Sequence, residues 1–221
     1  MAAEFVTLTA SDGHKFQAWW APPAGQAKAG IVVIQEIFGV NGHIRDVTER
    51  FAKLGYLAVA PALFDRVHRG LDIGYTEADV AKGREIMGKL DWEKVPLDVE
   101  AARASVSSLG SVGITGYCFG GTVAWLAAAR LKFNAAVCYY GGAIQRFKNE
   151  KPIAPTICHF GKEDHGIPLT TVDEIKAAQP QIPMFLYDAG HGFACDQRGS
   201  FNEAARDEAW KRTTAHFAKF L

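Results

Sequence analysis

Apolar and polar positions change their period several times along this chain, which indicates alternating strands and helices. Residues 30–38 contain the apolar run IVVIQEIF and residues 56–63 read YLAVAPAL, and both runs predict buried strands. An amphipathic helix is predicted between them from four apolar positions at helical spacing: Ile44, Val47, Phe51 and Leu54. Gly55 marks the end of that helix.

The same periods predict the remaining elements. A hairpin is expected over residues 4–20, where Ser-Asp-Gly marks the turn. Further strands are expected at 112–117, 134–140, 155–160 and 182–188, and helices at 76–90, from Pro96 to near Gly110, at 121–130 and at 171–179. The chain should end with an amphipathic helix whose inner face carries Trp210, Thr214, Phe217 and Leu221.

This alternation predicts the fold class and the domain organisation. Strands that alternate with helices indicate an α/β fold with a mainly parallel central sheet and helices on both faces, here opened by an N-terminal antiparallel hairpin. A length of 221 residues is typical of one domain, so a single domain is expected over residues 1–221.

Composition narrows the classes of function. The chain has 24 basic and 24 acidic residues, and this balance argues against a nucleic-acid-binding surface. The N-terminus MAAEFVTLTA lacks the pattern of a secretory signal, and no apolar run reaches the roughly 18 residues that span a membrane, so a cytoplasmic protein is expected. The four cysteines form no CxxC pair, which argues against a zinc site or a redox pair.

Candidate chemistry gathers at the predicted strand ends, where open α/β sheets carry their active sites. Each of four strands is followed by residues that can take part in catalysis: Glu36 with Ile37 and Phe38, then Cys118, Asp164 and His191. A nucleophile, an acid and a histidine therefore arrive in the order that a nucleophilic hydrolase uses.

Gly116-Tyr117-Cys118-Phe119-Gly120 matches the nucleophile elbow, a sharp turn between a strand and a helix. Its flanking glycines are required because the two backbones approach closely, and the helix N-terminus favours a thiolate. The alternative interpretation is a thiol that packs as a small apolar side chain.

Each partner of Cys118 also has an ordinary structural interpretation. His191 lies between two glycines in the loop DAGHGF, but a lone histidine is more often a surface or core residue. Asp164 could be a turn or capping residue, and Glu36 could be a structural carboxylate paired with Arg45. The catalytic interpretation is favoured because all of these residues follow predicted strands, in the order that a nucleophilic hydrolase uses.

The sequence resembles the dienelactone hydrolase (carboxymethylenebutenolidase) family of the α/β-hydrolase superfamily. The matching stretches cover nearly the whole chain: QEIFGVNGHIRD at 35–46, GYCFGG at 116–121, GKEDHGIP at 161–168 and DAGHGF around His191. The resemblance implies that Cys118 is the nucleophile, His191 the general base and Asp164 its orienter. It also implies an oxyanion hole from the backbone N–H groups of Ile37 and Phe119, and a Glu36 that contacts the resting thiol.

The chain departs from the family pattern where substrate would bind. Family members that cleave dienelactone hold the substrate carboxylate with arginines, and one of these positions is Cys195 here, with Arg198 three residues later. The second arginine should lie in the 64–90 region, where Arg66, Arg69 and Arg84 are candidates. Gly166 stands where an aromatic residue is usual, and Phe38 is a further candidate substrate contact.

The sequence thus predicts a cysteine hydrolase that cleaves a small lactone or carboxylic ester through an acyl-thioester. The chemistry requires no metal and no organic cofactor, and its expected partner is a small-molecule substrate rather than nucleic acid or membrane. A monomer is expected. Two other classes stay open: a hydrolase fold that only binds a small molecule, and a thiol redox or stress protein.

Overall fold

The computed structural model describes residues 2–221, which form eight strands and six α-helices. The strands are β1 (Glu4–Thr9), β2 (Lys15–Ala21), β3 (Gly30–Ile34), β4 (Leu57–Pro61), β5 (Val112–Tyr117), β6 (Ala135–Tyr139), β7 (Thr156–Gly161) and β8 (Met184–Tyr187). The helices are α1 (Gly42–Lys53), α2 (Glu77–Gly88), α3 (Val95–Ser105), α4 (Phe119–Arg130), α5 (Leu169–Ala178) and α6 (Glu203–Phe220).

The chain divides into two compact units, one ending at Ile114 and one running from Thr115 to Leu221, with the boundary inside β5. In the first unit β1 and β2 form an antiparallel hairpin, β2 pairs antiparallel with β4, and β3 pairs parallel with β4. In the second unit the order is β5-β6-β7-β8, and β7 pairs parallel with both β6 and β8. The predicted α/β class with an N-terminal hairpin is confirmed, and the single domain stays a prediction.

Helix α1 shows how local sequence sets the element bounds. The side chain of Asn41 accepts the N–H of Ile44 and caps the first turn. At the other end Gly55 has φ +90°, and the N–H groups of Gly55 and Tyr56 return to carbonyls of the last turn, which closes a Schellman motif. Leu54, predicted on the inner face, is 42% exposed because it is the C-cap residue, where the helical period ends.

Helix α4, which follows β5 in the second unit, is buried along most of its length. Its residues from Phe119 to Ala128 are all buried, as its continuous apolar sequence predicts. Apolar helices of this kind can resemble membrane spans, but no helix within residues 2–221 is long and apolar enough to cross a bilayer.

The predicted inner face of α6 is wrong at three of its four positions. Trp210, Thr214 and Leu221 are only half-buried, whereas the buried positions recur every fourth residue at Ala205, Ala209, Thr213 and Phe217. Alanines let the helix approach the sheet closely, and Thr213 is buried because its hydroxyl takes part in a buried hydrogen-bond network. Large apolar side chains therefore did not mark the packed face.

That network is centred on His159, a fully buried residue of β7. Its Nδ1 lies 2.8 Å from Tyr187 Oη, and its Nε2 lies 3.2 Å from Thr213 Oγ1, which in turn lies 2.6 Å from Tyr139 Oη. Arg212 donates to Tyr187 Oη at 3.1 Å, so the hydroxyl proton of Tyr187 is available to His159 Nδ1, an arrangement in which His159 is neutral with its proton on Nε2.

Acid should destabilise the fold through His159. Burial, helped by the nearby charges of Arg212 and His216, lowers its pKa from 6.5 to about 3. Between these values only the unfolded chain takes up the proton, so the free energy of unfolding should fall as pH drops below about 6.5. At pH 4.5 the loss should be about 2–3 kcal/mol, at roughly 1.4 kcal/mol for each pH unit.

Urea unfolding at pH 7 and pH 4.5 tests this expectation. The His159→Gln variant should lose less stability between the two pH values than the wild type, and the exposed His165→Gln variant serves as the control. An equal loss in the His159→Gln variant and the wild type would rule out His159 as the source.

Candidate active site

The backbone at Cys118 makes the sharp turn that the elbow motif predicts. Cys118 lies between β5 and α4 with φ +54°, in the left-handed region that side chains rarely adopt. A Cβ at position 116 would overlap the carbonyl oxygen of Gly120, so only glycine fits there. The turn is anchored by a hydrogen bond from the Cys118 N–H to the Tyr139 carbonyl oxygen at 3.0 Å.

Asp164 uses each of its two carboxylate oxygens for a separate purpose. Its Oδ2 lies 2.6 Å from His191 Nδ1, while its Oδ1 accepts the N–H groups of Gly166 at 2.8 Å and Ile167 at 3.1 Å. The carboxylate has no solvent exposure. One oxygen of Asp164 therefore takes part in a turn and the other contacts His191, while its role as the orienter of a catalytic histidine stays a prediction.

The loops that carry Asp164 and His191 are held together by backbone contacts. The Lys162 N–H donates to Tyr187 O at 2.8 Å, and the Glu163 N–H donates to Ala189 O at 3.0 Å. A Cβ at position 161 would overlap the Ala189 carbonyl oxygen, which makes Gly161 part of the same close approach. Pairing of β7 with β8 thus continues past the strand ends and brings the two side chains together.

Electrostatics favour a protonated His191. Burial by itself lowers the pKa of His191, but the charge and hydrogen bond of Cys118 and those of Asp164 outweigh it and raise the pKa from 6.5 to about 10. Because Asp164 occupies Nδ1, Nε2 is the ring nitrogen left to interact with Cys118. The second unit therefore brings together Cys118, His191 and Asp164 as one chain of contacts.

The other predicted catalytic residues lie in the first unit. Strand β3 ends at Ile34, earlier than predicted, and Glu36, Ile37 and Phe38 follow it as buried residues. Helix α2 packs tightly against the Ile37 backbone, because a Cβ at Gly83 would overlap the Ile37 carbonyl oxygen. Arg84, the next residue of α2, is exposed.

Two of the arginines considered for substrate binding have structural partners. Arg66 is nearly buried and forms bidentate hydrogen bonds with Asp98 and with Asp12, while Arg69 donates to the Lys15 carbonyl oxygen. These contacts explain both residues without a substrate.

Arg198 lies beside the loop that carries His191. A Cβ at Gly192, the residue after His191, would lie 2.5 Å from Arg198 Nη1, and Gly192 has φ +78°. Cys195 is completely buried, and its N–H donates to Gly192 O at 3.0 Å, so this cysteine belongs to the turn that follows His191. Of the two, only Arg198 carries a charge next to the site.

One residue of the site escaped the sequence analysis. The ring of Tyr140 packs on the His191 imidazole, with 5.1 Å between the ring centroids. Tyr140 directly follows β6. The rule that active-site residues follow strand ends would therefore have identified it if it had also been applied to the predicted strand 134–140.

Comparison with known proteins places this chain in a family. The model of the "Dienelactone hydrolase family" matches residues 16–221. The chain belongs to the dienelactone hydrolase family.

Members of this family from several bacteria are similar to the chain over most of its length. It is 38% identical over 207 residues to a Synechocystis protein named "Putative carboxymethylenebutenolidase", covering 85% of this chain and 84% of that protein. It is 34% identical over 205 residues to the "Carboxymethylenebutenolidase" of Pseudomonas putida, covering 88% and 87%. A crystal structure from Klebsiella pneumoniae named "Putative Dienelactone Hydrolase" matches with a TM-score of 0.85 and 28% identity, over 98% of this chain and 100% of that chain.

Family membership confirms two predictions made from the sequence. The chain is a hydrolase of the dienelactone hydrolase type, and it has the α/β-hydrolase fold.

The two roles of Asp164 predict the effect of replacing it with asparagine. Asparagine has no charge and a single acceptor oxygen, so it cannot both cap the Gly166 turn and hold His191 as the carboxylate does. The pKa of His191, followed by NMR titration, should fall by about 1–3 units in Asp164→Asn. Asp188→Asn, which removes an exposed carboxylate of the loop that carries His191, should leave the His191 pKa unchanged. An unchanged His191 pKa in Asp164→Asn would contradict the two roles of Asp164.

Proposed function

We propose that this dienelactone hydrolase family member cleaves small lactones or carboxylic esters through an acyl-thioester on Cys118. The observation that carries the proposal is the continuous chain from Asp164 through His191 to Cys118, which begins with a 2.6 Å contact and ends at the strained elbow. An unused thiol would need neither a left-handed backbone nor a histidine held by a buried carboxylate.

In the acylation step the Cys118 thiolate attacks the carbonyl carbon and forms a tetrahedral intermediate. The intermediate collapses by breaking the bond to the ester oxygen, and the His191 imidazolium gives its Nε2 proton to that leaving oxygen. The products are an acyl-thioester and an alcohol, which in a lactone stay within one molecule. The pKa of His191, raised to about 10, supports this step because it keeps the proton available at neutral pH.

In the deacylation step His191 acts in the opposite direction. Acylation removes the negative charge of the Cys118 sulfur, one of the causes that raise the pKa of His191. The pKa should therefore fall in the acyl-enzyme, which leaves a neutral imidazole that takes a proton from water. The resulting hydroxide attacks the thioester, the thiolate leaves and the acid is released.

The N–H of Phe119 suits an oxyanion hole. Phe119 directly follows the nucleophile and begins α4, the position from which the α/β-hydrolase elbow supplies a backbone N–H to the oxyanion. The second donor, the N–H of Ile37, and the contact of Glu36 with the resting thiol are proposals drawn from the family resemblance, as are substrate contacts by Phe38 and Arg84. The proposed steps use only protein groups, substrate and water.

Loss of the nucleophile should abolish turnover. Cys118→Ala should reduce kcat/KM for a small aryl ester and for a dienelactone at least about 10³-fold, because no acyl-thioester can form. Mass spectrometry of the quenched wild type should show the acyl group on the peptide that contains Cys118.

Two further variants make this test specific. Cys138→Ala applies the same substitution to a fully buried cysteine of β6 and should retain activity. His191→Ala should remove nearly all hydrolysis, whereas a thiol redox protein would lose little of its function. Full activity in Cys118→Ala would refute the proposed mechanism, and thiol labelling without turnover in the wild type would favour a binding protein.

Arg198 supports a substrate that carries a carboxylate near the scissile bond, because its guanidinium lies next to the residue that follows His191. Arg198→Gln should raise KM about 10–100-fold for an ester with a free carboxylate, the range expected for a lost charged hydrogen bond. KM should change little for the uncharged analogue in which that carboxylate is a methyl ester. In the control variant Arg206→Gln, whose arginine pairs with Glu203 and Asp207, KM should change little for both esters. Equal effects on both esters would exclude a carboxylate contact.

A further inference from the structure

Tyr140 has an unusual backbone conformation for a buried aromatic residue. Within residues 2–221 only two residues other than glycine have left-handed φ values, Cys118 at +54° and Tyr140 at +36°. Tyr140 is completely buried. A strained conformation of this kind persists only where the surrounding contacts impose it, and such residues concentrate at functional sites.

The contacts that impose it join the end of β6 to the nucleophile turn. The Tyr140 N–H donates to His159 O at 2.8 Å, while the Tyr139 carbonyl oxygen accepts the Cys118 N–H at 3.0 Å. The next residue, Gly141, approaches α4 so closely that a Cβ there would lie 2.8 Å from Thr122 N. The chain therefore turns directly after β6 and cannot continue as a strand.

This turn directs the Tyr140 ring to the imidazole of His191. The two ring centroids are 5.1 Å apart with 60° between the planes, and Phe193 supports the Tyr140 ring at 5.3 Å and 71°. The polar contacts of His191 to Asp164 and Cys118 hold the nitrogen edge of the imidazole, but hydrogen bonds still tolerate a limited tilting rotation of the ring plane. A ring packed beside it limits that rotation.

We infer that Tyr140 is a positioning residue, which fixes the plane of the His191 imidazole so that its Nε2 faces both Cys118 and the leaving oxygen. The inference rests on the proposed function where it concerns catalysis. The Tyr140 ring restrains the imidazole by packing against it, and the strained backbone conformation of Tyr140 directs the ring to His191. One two-residue segment, Tyr139–Tyr140, thereby holds the nucleophile by its backbone and the histidine by a side chain.

Activity measurements on three variants test this role. Tyr140→Phe keeps the ring and should retain kcat within about threefold, whereas Tyr140→Leu should lower kcat about 10–100-fold with little change in KM, because the proton is delivered from a less ordered imidazole. Tyr140→Gly relieves the backbone strain but lacks the ring, so it should be impaired like Tyr140→Leu. Phe160→Leu, a fully buried ring on β7, is the matched control for lost core volume and should keep kcat.

An NMR titration of His191 provides a readout that does not require hydrolysis. The pKa of His191 should fall by about one unit or more in Tyr140→Leu, since the imidazole is held less well against its two charged partners, and should be unchanged in Tyr140→Phe and Phe160→Leu. Normal kcat and normal His191 pKa in Tyr140→Leu would overturn the inference, as would equal losses in Tyr140→Phe and Tyr140→Leu. Absence of hydrolysis in the wild type would refute the proposed function alone, and the titration would still decide the role of Tyr140.

Discussion

The close approach between the nucleophile turn and the end of β6 is the constraint on which the site depends. The Cys118 N–H donates to the Tyr139 carbonyl oxygen, and a Cβ at Gly121 would overlap that same oxygen. Side chains are therefore excluded from the turn wherever the two backbones meet, and the thiol is the group that the turn presents. The left-handed conformations of Cys118 and Tyr140 are stabilised by this packing and would be unfavourable in an isolated peptide.

The carboxylate of Asp164 serves the fold and the site at once. A fully buried carboxylate is costly unless every oxygen has partners, and here two backbone N–H groups and His191 supply them. The same contacts that make the group tolerable in the interior also shape its loop and raise the pKa of the histidine. Stability and proposed chemistry thus share one side chain, which is why the structural and catalytic interpretations of Asp164 do not compete.

Sequence reasoning selected Cys118, Asp164 and His191 because each lies directly after a strand with an apolar pattern or in the loop that follows one. It failed where the relevant contact joins distant segments. The packed face of α6 was placed on large apolar residues, whereas Thr213 is buried through its hydrogen bonds to Tyr139 and His159. Arg66 was predicted as a candidate for substrate binding, but it pairs with two aspartates.

By itself the sequence determined the alternation of strands and helices, the nucleophile elbow, and the order of cysteine, aspartate and histidine. These features are local, since they depend on hydrophobic period, on glycine at a tight turn and on residues next to a strand end. Only the tertiary structure decided how Asp164 divides its two oxygens, that the Arg198 guanidinium lies over Gly192, and that Tyr140 turns its ring to His191. Each of these depends on close packing between segments that the chain brings together only when it folds, and no local pattern encodes that packing.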